Sequence, residues 1–177
     1  EFFGFKSNSE EGKLMALASF GKYSKKIQSK LNKFLKYNKE TGDYSLDPVL
    51  RFGGKRSTNP RFSEKFINIF GKPLFNNKKI LKYHKDLAFN VQWRLEEIVK
   101  LLVKDLIKIS KVPNLCLAGG VHMNCKLNGV LASLPEVKKI YIQPASSDNG
   151  VALGAAMLSA KNEKGSFSKM DHCYYGN

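Results

Sequence analysis

From Asn77 to Ser110 the chain runs without a single Gly or Pro. Within that run Ile80, Leu87, Val91, Leu95, Ile98, Leu102, Leu106 and Ile109 return at steps of three, four or seven. Such a period places them on one stripe of a long amphipathic α-helix. A one-sided helix must bury its stripe against other elements, so the rest of the chain is read for what can cover it. His84 lies beside the stripe and reads as a core-edge or surface residue. Trp93 falls within the helix and reads as packing.

The pattern changes after Pro113. Asn114 to Ala118 (NLCLA) is a short apolar run, followed at once by Gly119 and Gly120. Asn124 to Ala132 is predicted helical, Lys138 to Gln143 (KKIYIQ) alternates like a strand, and Pro144 to Asp148 reads as a loop. Asn149 to Lys161 (NGVALGAAMLSAK) is a helix rich in small residues, which would let it pack close to a neighbour. Strands alternating with helices predict an α/β layer with parallel neighbouring strands. Residues 162–177 are weakly patterned.

Before the long helix, Glu10 to Ala18 reads as a short helix stopped by Gly21. Ser24 to Tyr37 shows a helical period at Ile27, Leu31, Phe34 and Leu35. Asn38 to Pro60 is turn-rich, with Gly42, Pro48, Gly53, Gly54 and Pro60, and is expected to be a loop holding one short hairpin. Ser63 is the expected cap of a helix to Phe70, ended by Gly71 and Pro73.

Charge is uneven. Residues 1–111 carry 24 of the 30 Lys and Arg and 11 of the 15 Asp and Glu. Nearly all the cations are Lys, whereas specific readers of nucleic-acid bases lean on Arg. Lys22, Lys25, Lys26, Lys30, Lys33, Lys36 and Lys39 therefore read as a solvated face, with a polyanion-binding module as the competing view. No apolar stretch reaches the roughly 20 residues of a membrane helix. Cys116, Cys125 and Cys173 show no metal-type spacing. Cys116, inside an apolar run, is expected to be a buried reduced thiol, which points to the cytoplasm. The chain opens at Glu1 among Phe2, Phe3 and Phe5, without a signal segment, and reads as a piece of a longer protein.

Three segments can carry chemistry. Gly119 and Gly120 let a ligand approach the backbone at a strand-to-helix turn, though a plain tight turn is the equal alternative. Asp148, at the mouth of the sheet, suits a divalent metal or a ligand hydroxyl; capping the last helix is the equal alternative. Glu11 and Lys13 lie two residues apart on the first helix and by pattern alone are solvated. His122 is open between a ligand-facing and a loop role, and His172 lies in the unpatterned tail. No GxSxG or P-loop occurs.

The segments NLCLAGGVHMNCKLNG (Asn114 to Gly129) and IYIQPASSDNGVALGAAMLSA (Ile140 to Ala160), with GFKSNSEEGKLMALASFG (Gly4 to Gly21), resemble the O-carbamoyltransferases of the NodU, cephamycin and tobramycin type. Asp86, Ala88 and Gln92 resemble that family's DLA…Q helix. The resemblance implies an α/β actin/hexokinase-like (ribonuclease H-like) ATPase lobe, the second of its domain. It implies transfer of a carbamoyl group from carbamoyl phosphate, by way of a carbamoyl-adenylate made with ATP, to a hydroxyl of a small or sugar-like acceptor. By the same resemblance Gly119, Gly120 and Asn124 would line the nucleotide, Glu11 and Lys13 would approach its ribose or base side, and Asp148 would hold an iron-type divalent metal.

Some residues depart from the family pattern. Ala16 stands where Gly is usual, Ser19-Phe20 where Pro-Tyr is usual, and His122 where a small or apolar residue is usual. The closing Tyr174 to Asn177 resembles the family's YLGP with a different last residue. The first lobe, with its histidine pair, and the C-terminal adenylate-forming domain are missing partners, so the 177 residues alone are expected to be inactive. A tRNA threonylcarbamoyl-transfer protein is the related alternative, disfavoured by the EGKLMALA opening.

Overall fold

The computed structural model describes residues 1–6, 9–46, 62–74 and 79–166. It divides into two compact units, Glu1–Ile109 and Ser110–Asn177. The architecture is mixed α/β, mainly helical, with two small sheets.

In the first unit, α1 (Glu11–Ala18) is followed by α2 (Lys25–Phe34). Ser24 caps α2, its Oγ accepting from Ile27 N at 3.3 Å. The predicted helix to Tyr37 ends early, at Phe34, and Leu35–Tyr37 instead form strand β1, paired antiparallel with β2 (Tyr44–Leu46). The cause is tertiary. Leu35 O accepts from Arg94 Nη2 at 2.7 Å, and the Tyr37 hydroxyl donates to the Asp105 carboxylate. The turn between the strands closes through Asn38 Oδ1, which accepts from Glu40 N, and through Gly42 at φ 73°. The expected hairpin thus exists but opens three residues before the expected loop. Pro48, Gly53, Gly54 and Pro60 lie outside the described residues.

Helix α3 (Glu64–Phe70) starts at its Ser63 cap, as expected, and stops at Gly71 with φ 89°. The long helix α4 spans Lys82–Ser110. His84 marks its start: its Nδ1 accepts from Leu81 N at 3.0 Å, a third-position side chain reaching back to the capping amide. His84 is buried, and desolvation holds its pKa below the usual histidine value.

The core of this unit joins Phe2, Phe3, Leu17, Ala18, Ile27, Phe34, Phe70, Leu87 and Ala88. Phe2 meets Phe3, Phe62 and Phe66 edge to face at 5.5, 5.5 and 5.3 Å, an arrangement that adds to plain area burial. Asn90, fully buried on α4, ties the start of α2 to it. Its Nδ2 donates to Lys22 O and Asp86 O, and its Oδ1 accepts from Ser24 N and Gln28 Nε2. Trp93 packs against Tyr23, centroids 5.2 Å apart.

The second unit runs β3 (Asn114–Leu117), a 3-10 turn (Gly120–Met123), α5 (Cys125–Ala132), β4 (Lys139–Ile142) and α6 (Asn149–Lys164). β3 and β4 pair in parallel, Asn114 opposite Lys139 and Leu117 opposite Ile142. Leu115 and Leu117 are buried, together with Leu127 and Leu131 of α5. Alternation along β3 turns Cys116 to the other face, where it is exposed next to Tyr141. The expectation of a buried thiol at Cys116 is therefore corrected. So is close packing along all of α6: Gly150 is tight against Ala145 O, but Ala152, Ala155 and Ala156 are exposed and Gly154 has nothing within 4 Å. His172, Cys173 and Tyr174 to Asn177 lie outside the described residues. Among the described residues no helix is long and apolar enough to cross a membrane.

Candidate functional site

Two parallel strands end on the same side, so the turns that follow them meet. Beyond Leu117 the chain enters Gly119 at φ 93°, ψ 159°, a backbone that only glycine adopts cheaply. Beyond Ile142, Gln143 N still donates to Leu117 O at 3.0 Å and so holds the next loop against the first. A Cβ placed on Gly120 would lie 3.8 Å from Ser147 Oγ. Gly119, Gly120 and the loop carrying Asp148 therefore stand together at the carboxyl end of the pair, where open α/β sheets take their ligands.

Asp148 is exposed and makes no side-chain cap to α6; its carbonyl accepts from Val151 N at 3.0 Å instead. The carboxylate is thus not used by the helix that follows it. Gly150 lets the start of α6 come close to the loop, because a Cβ there would stand 2.4 Å from Ala145 O. Asn124 is placed as the cap of α5, its Oδ1 accepting from Leu127 N at 3.0 Å. Asn before a helical run is a cap signal that could have been read directly from the sequence.

His122 follows the glycine pair and pairs with Asn128. Asn128 Nδ2 donates to His122 O at 2.8 Å, and Asn128 Oδ1 lies 3.1 Å from His122 Nδ1. Sequence reasoning missed Asn128. Its signal was a polar residue beside Leu127 in the buried stripe of α5.

Glu11 and Lys13 belong to the first unit, both exposed on α1. Lys13 is ion-paired with Glu10, whose other oxygen accepts from Lys6 N at 2.8 Å. The hydrogen bond from Lys13 holds the Glu10 carboxyl below its usual range. In the same unit Asp86 accepts from Lys82 Nζ at 2.7 Å and from Lys22 N at 2.9 Å, and the Lys82 bond lowers its pKa. Lys26, Lys30 and Lys82 line an open groove. Lys30 donates to Ile69 O and Lys82 to Asp86, so these amines are engaged within the fold. That arrangement favours a structural use of these two lysines over a polyanion track.

Among the described residues no three His, Cys, Asp or Glu side chains gather into a metal-binding group. Asp148 fits a divalent cation as one hard oxygen ligand, exposed and unused by its helix, but only as one of several.

A parallel strand pair with a glycine-opened turn and a carboxylate loop at one end defines a small α/β unit, open at the end where such sheets take their ligands. Residues 1–157 match the family model described as Carbamoyltransferase N-terminus. The chain belongs to the carbamoyltransferase family, in its N-terminal region. It is 40% identical over 96 residues to nodulation protein NolNO of Sinorhizobium fredii, covering 52% of this chain and 14% of that protein. It is 43% identical over 75 residues to nodulation protein NolO of Bradyrhizobium diazoefficiens, covering 42% and 14%. It is 36% identical over 155 residues to uncharacterized protein sll1178 of Synechocystis sp., covering 87% and 25%. The chain spans about a quarter or less of the length of these relatives.

Proposed function

We propose that this chain is part of a cytoplasmic, ATP-dependent O-carbamoyltransferase that moves a carbamoyl group from carbamoyl phosphate, through a carbamoyl-adenylate, to an acceptor hydroxyl. The observation that carries the reading is the meeting of Gly120 with the Ser147–Asp148 loop at the carboxyl end of β3 and β4, in a chain of this family. Acyl transfer of this kind needs the donor and acceptor held in register and the developing oxyanion stabilised.

In this proposal Gly119 and Gly120 let the nucleotide lie against the backbone, and Asn124 holds the start of α5 in place. Glu11 and Lys13 approach the ribose or base side. Asp148 offers one ligand to a divalent metal of iron type, which when bound would polarise the carbamoyl oxygen as a Lewis acid. The actin/hexokinase-like, ribonuclease H-like lobe belongs to the same proposal, supported by the strand-helix-strand-helix order with parallel strands. The rest of the site comes from other parts of the parent protein, so the 177 residues alone are inactive.

The test incubates the full-length protein with carbamoyl phosphate, ATP and candidate hydroxyl acceptors. Carbamoyl-adenylate, pyrophosphate and carbamoylated product are expected. Absence of all three overturns the reading. Asp148→Ala in that protein lowers metal content and activity together; unchanged metal content removes Asp148 from the site.

A further inference from the structure

The pairing of His122 with Asn128 fixes more than a turn. Asn128 Nδ2 lies 2.8 Å from His122 O. A carbonyl oxygen only accepts, so the amide nitrogen must be the group facing it. The other end of the same amide, Oδ1, is then the group 3.1 Å from His122 Nδ1. An amide oxygen also only accepts, so Nδ1 carries the hydrogen. In the neutral ring the lone pair is left on Nε2. Reversing the amide would set its oxygen against the His122 carbonyl oxygen, two acceptors facing each other, at a residue that is 7% exposed and so shielded from solvent that could relieve it. The His122 residue itself is half-buried, and no hydrogen bond from another described residue is made to Nε2.

A hydrogen bond at one ring nitrogen fixes the tautomer and orientation of an imidazole and leaves the far nitrogen open to a partner. Here the ring sits in the turn Gly120–Met123, directly after the glycine pair. A neutral ring nitrogen with a lone pair does not suit phosphate or carboxylate oxygens, which are acceptors themselves. It suits an O–H.

We infer that His122 is a specificity-determining residue whose Nε2 accepts a hydrogen bond from a ligand hydroxyl at the carboxyl end of β3. The inference rests on the carbamoyltransferase reading for the identity of its ligands. Two of them carry hydroxyls: the acceptor and the ribose of the nucleotide.

The test uses two variants of the full-length protein, with steady-state kinetics varied separately in acceptor and in ATP. His122→Asn keeps a donor where Nδ1 stood, so the bond to Asn128 survives, but puts nothing where Nε2 stood. His122→Gln reaches further and restores an acceptor there. The expected result is a rise of about tenfold in one KM for His122→Asn, the size of one lost hydrogen bond, with kcat unchanged and partial rescue in His122→Gln. A rise for the acceptor assigns its hydroxyl to Nε2. A rise for ATP that disappears when deoxyribose ATP is used assigns the ribose, and one that persists with deoxyribose ATP overturns the hydroxyl assignment. Both KM values unchanged in His122→Asn overturn the inference, as does the opposite order of the two variants, which a purely structural role would give. Nitrogen-detected NMR of the histidine rings checks the same point without catalysis: the neutral His122 ring shows its hydrogen on Nδ1, and a hydrogen on Nε2 overturns the assignment. A wild-type protein that transfers no carbamoyl group overturns the functional reading as well, whereas an active wild type with unchanged variants overturns this inference alone.

Discussion

Gly120 and Ser147 meet across the carboxyl end of the β3–β4 pair, with room for a Cβ on Gly120 to rest 3.8 Å from Ser147 Oγ. That distance is ordinary van der Waals contact, so the fold itself does not require glycine at this position. Gly119 is different: its φ of 93° puts it in the left-handed half of conformational space, yet a Cβ there would meet nothing within 4 Å.

The two glycines are therefore expected to separate stability from activity. Gly119→Ala strains the backbone and costs about 1–2 kcal/mol, read as a lower urea midpoint. Gly120→Ala leaves the midpoint within about 0.5 kcal/mol of wild type. Its added methyl occupies the ligand wall, so carbamoyl transfer by the full-length protein falls by about tenfold through misplacement of the reactants. Full activity in Gly120→Ala would take the second glycine out of the site.

Gly21 is constrained by space rather than by conformation. A Cβ there would stand 2.0 Å from Lys85 O and 2.8 Å from Phe89 Cβ, against the backbone of α4. Backbone in a long helix does not yield easily. Gly21→Ala is expected to destabilise the first unit by about 3 kcal/mol, the upper end of overpacking costs. A urea midpoint equal to wild type would show that the segment after α1 does not sit on α4.

Asn90 carries four side-chain hydrogen bonds while fully buried. Asn90→Ala leaves Ser24 N and Lys22 O, both part-buried at these bonds, without their partner and opens a polar cavity on α4. Each stranded group costs about 1–3 kcal/mol to the extent that it stays away from water. A loss of about 3 kcal/mol in denaturant melts is expected, and Asn90→Asp is expected to be worse. The carboxylate would lose both donated bonds and place a charge against the carbonyls of Lys22 and Asp86. An Asp variant more stable than the Ala variant would contradict the assigned orientation of the amide.

Much of this architecture was legible in local pattern, and what was not has identifiable causes. The stripe through Leu87, Val91, Leu95 and Ile98 announced α4, and Ser24 and Ser63 announced the starts of α2 and α3, because period and capping act within one or two turns. The far end of that stripe is corrected, since Leu106 and Ile109 are exposed and Val103, outside it, is buried instead. Leu35 to Tyr37 read as helix because the bonds that pull them into a strand come from Arg94 and Asp105, 59 and 68 residues away. Cys116 read as buried because a short apolar run does not say which face of a strand will be covered. At the site, the glycine pair and Asp148 were recognisable as residue types, whereas their meeting depends on β3 and β4 being parallel neighbours. Asn124 carries a signal that is local: its Oδ1 caps α5, as Asn ahead of a helical run does.

The Tyr37–Asp105 bond also makes stability depend on alkaline pH. The hydrogen bond to Asp105 is the largest cause holding the Tyr37 phenol in its protonated form, and its pKa is pushed up from 10.0 to about 12. A group whose folded pKa is raised contributes its stability in full below its unfolded pKa and loses it as pH climbs through the folded value. The first unit is therefore expected to keep this contribution up to pH 10 and to lose it progressively towards pH 12. Tyr37→Phe removes the contribution at every pH, so its stability is lower than wild type at neutral pH and converges with it in strong alkali. An ultraviolet titration should also lack one tyrosinate step near pH 12 in that variant. Parallel stability curves for the two proteins from neutral pH to pH 12 would show that β1 is not held to α4 by this bond.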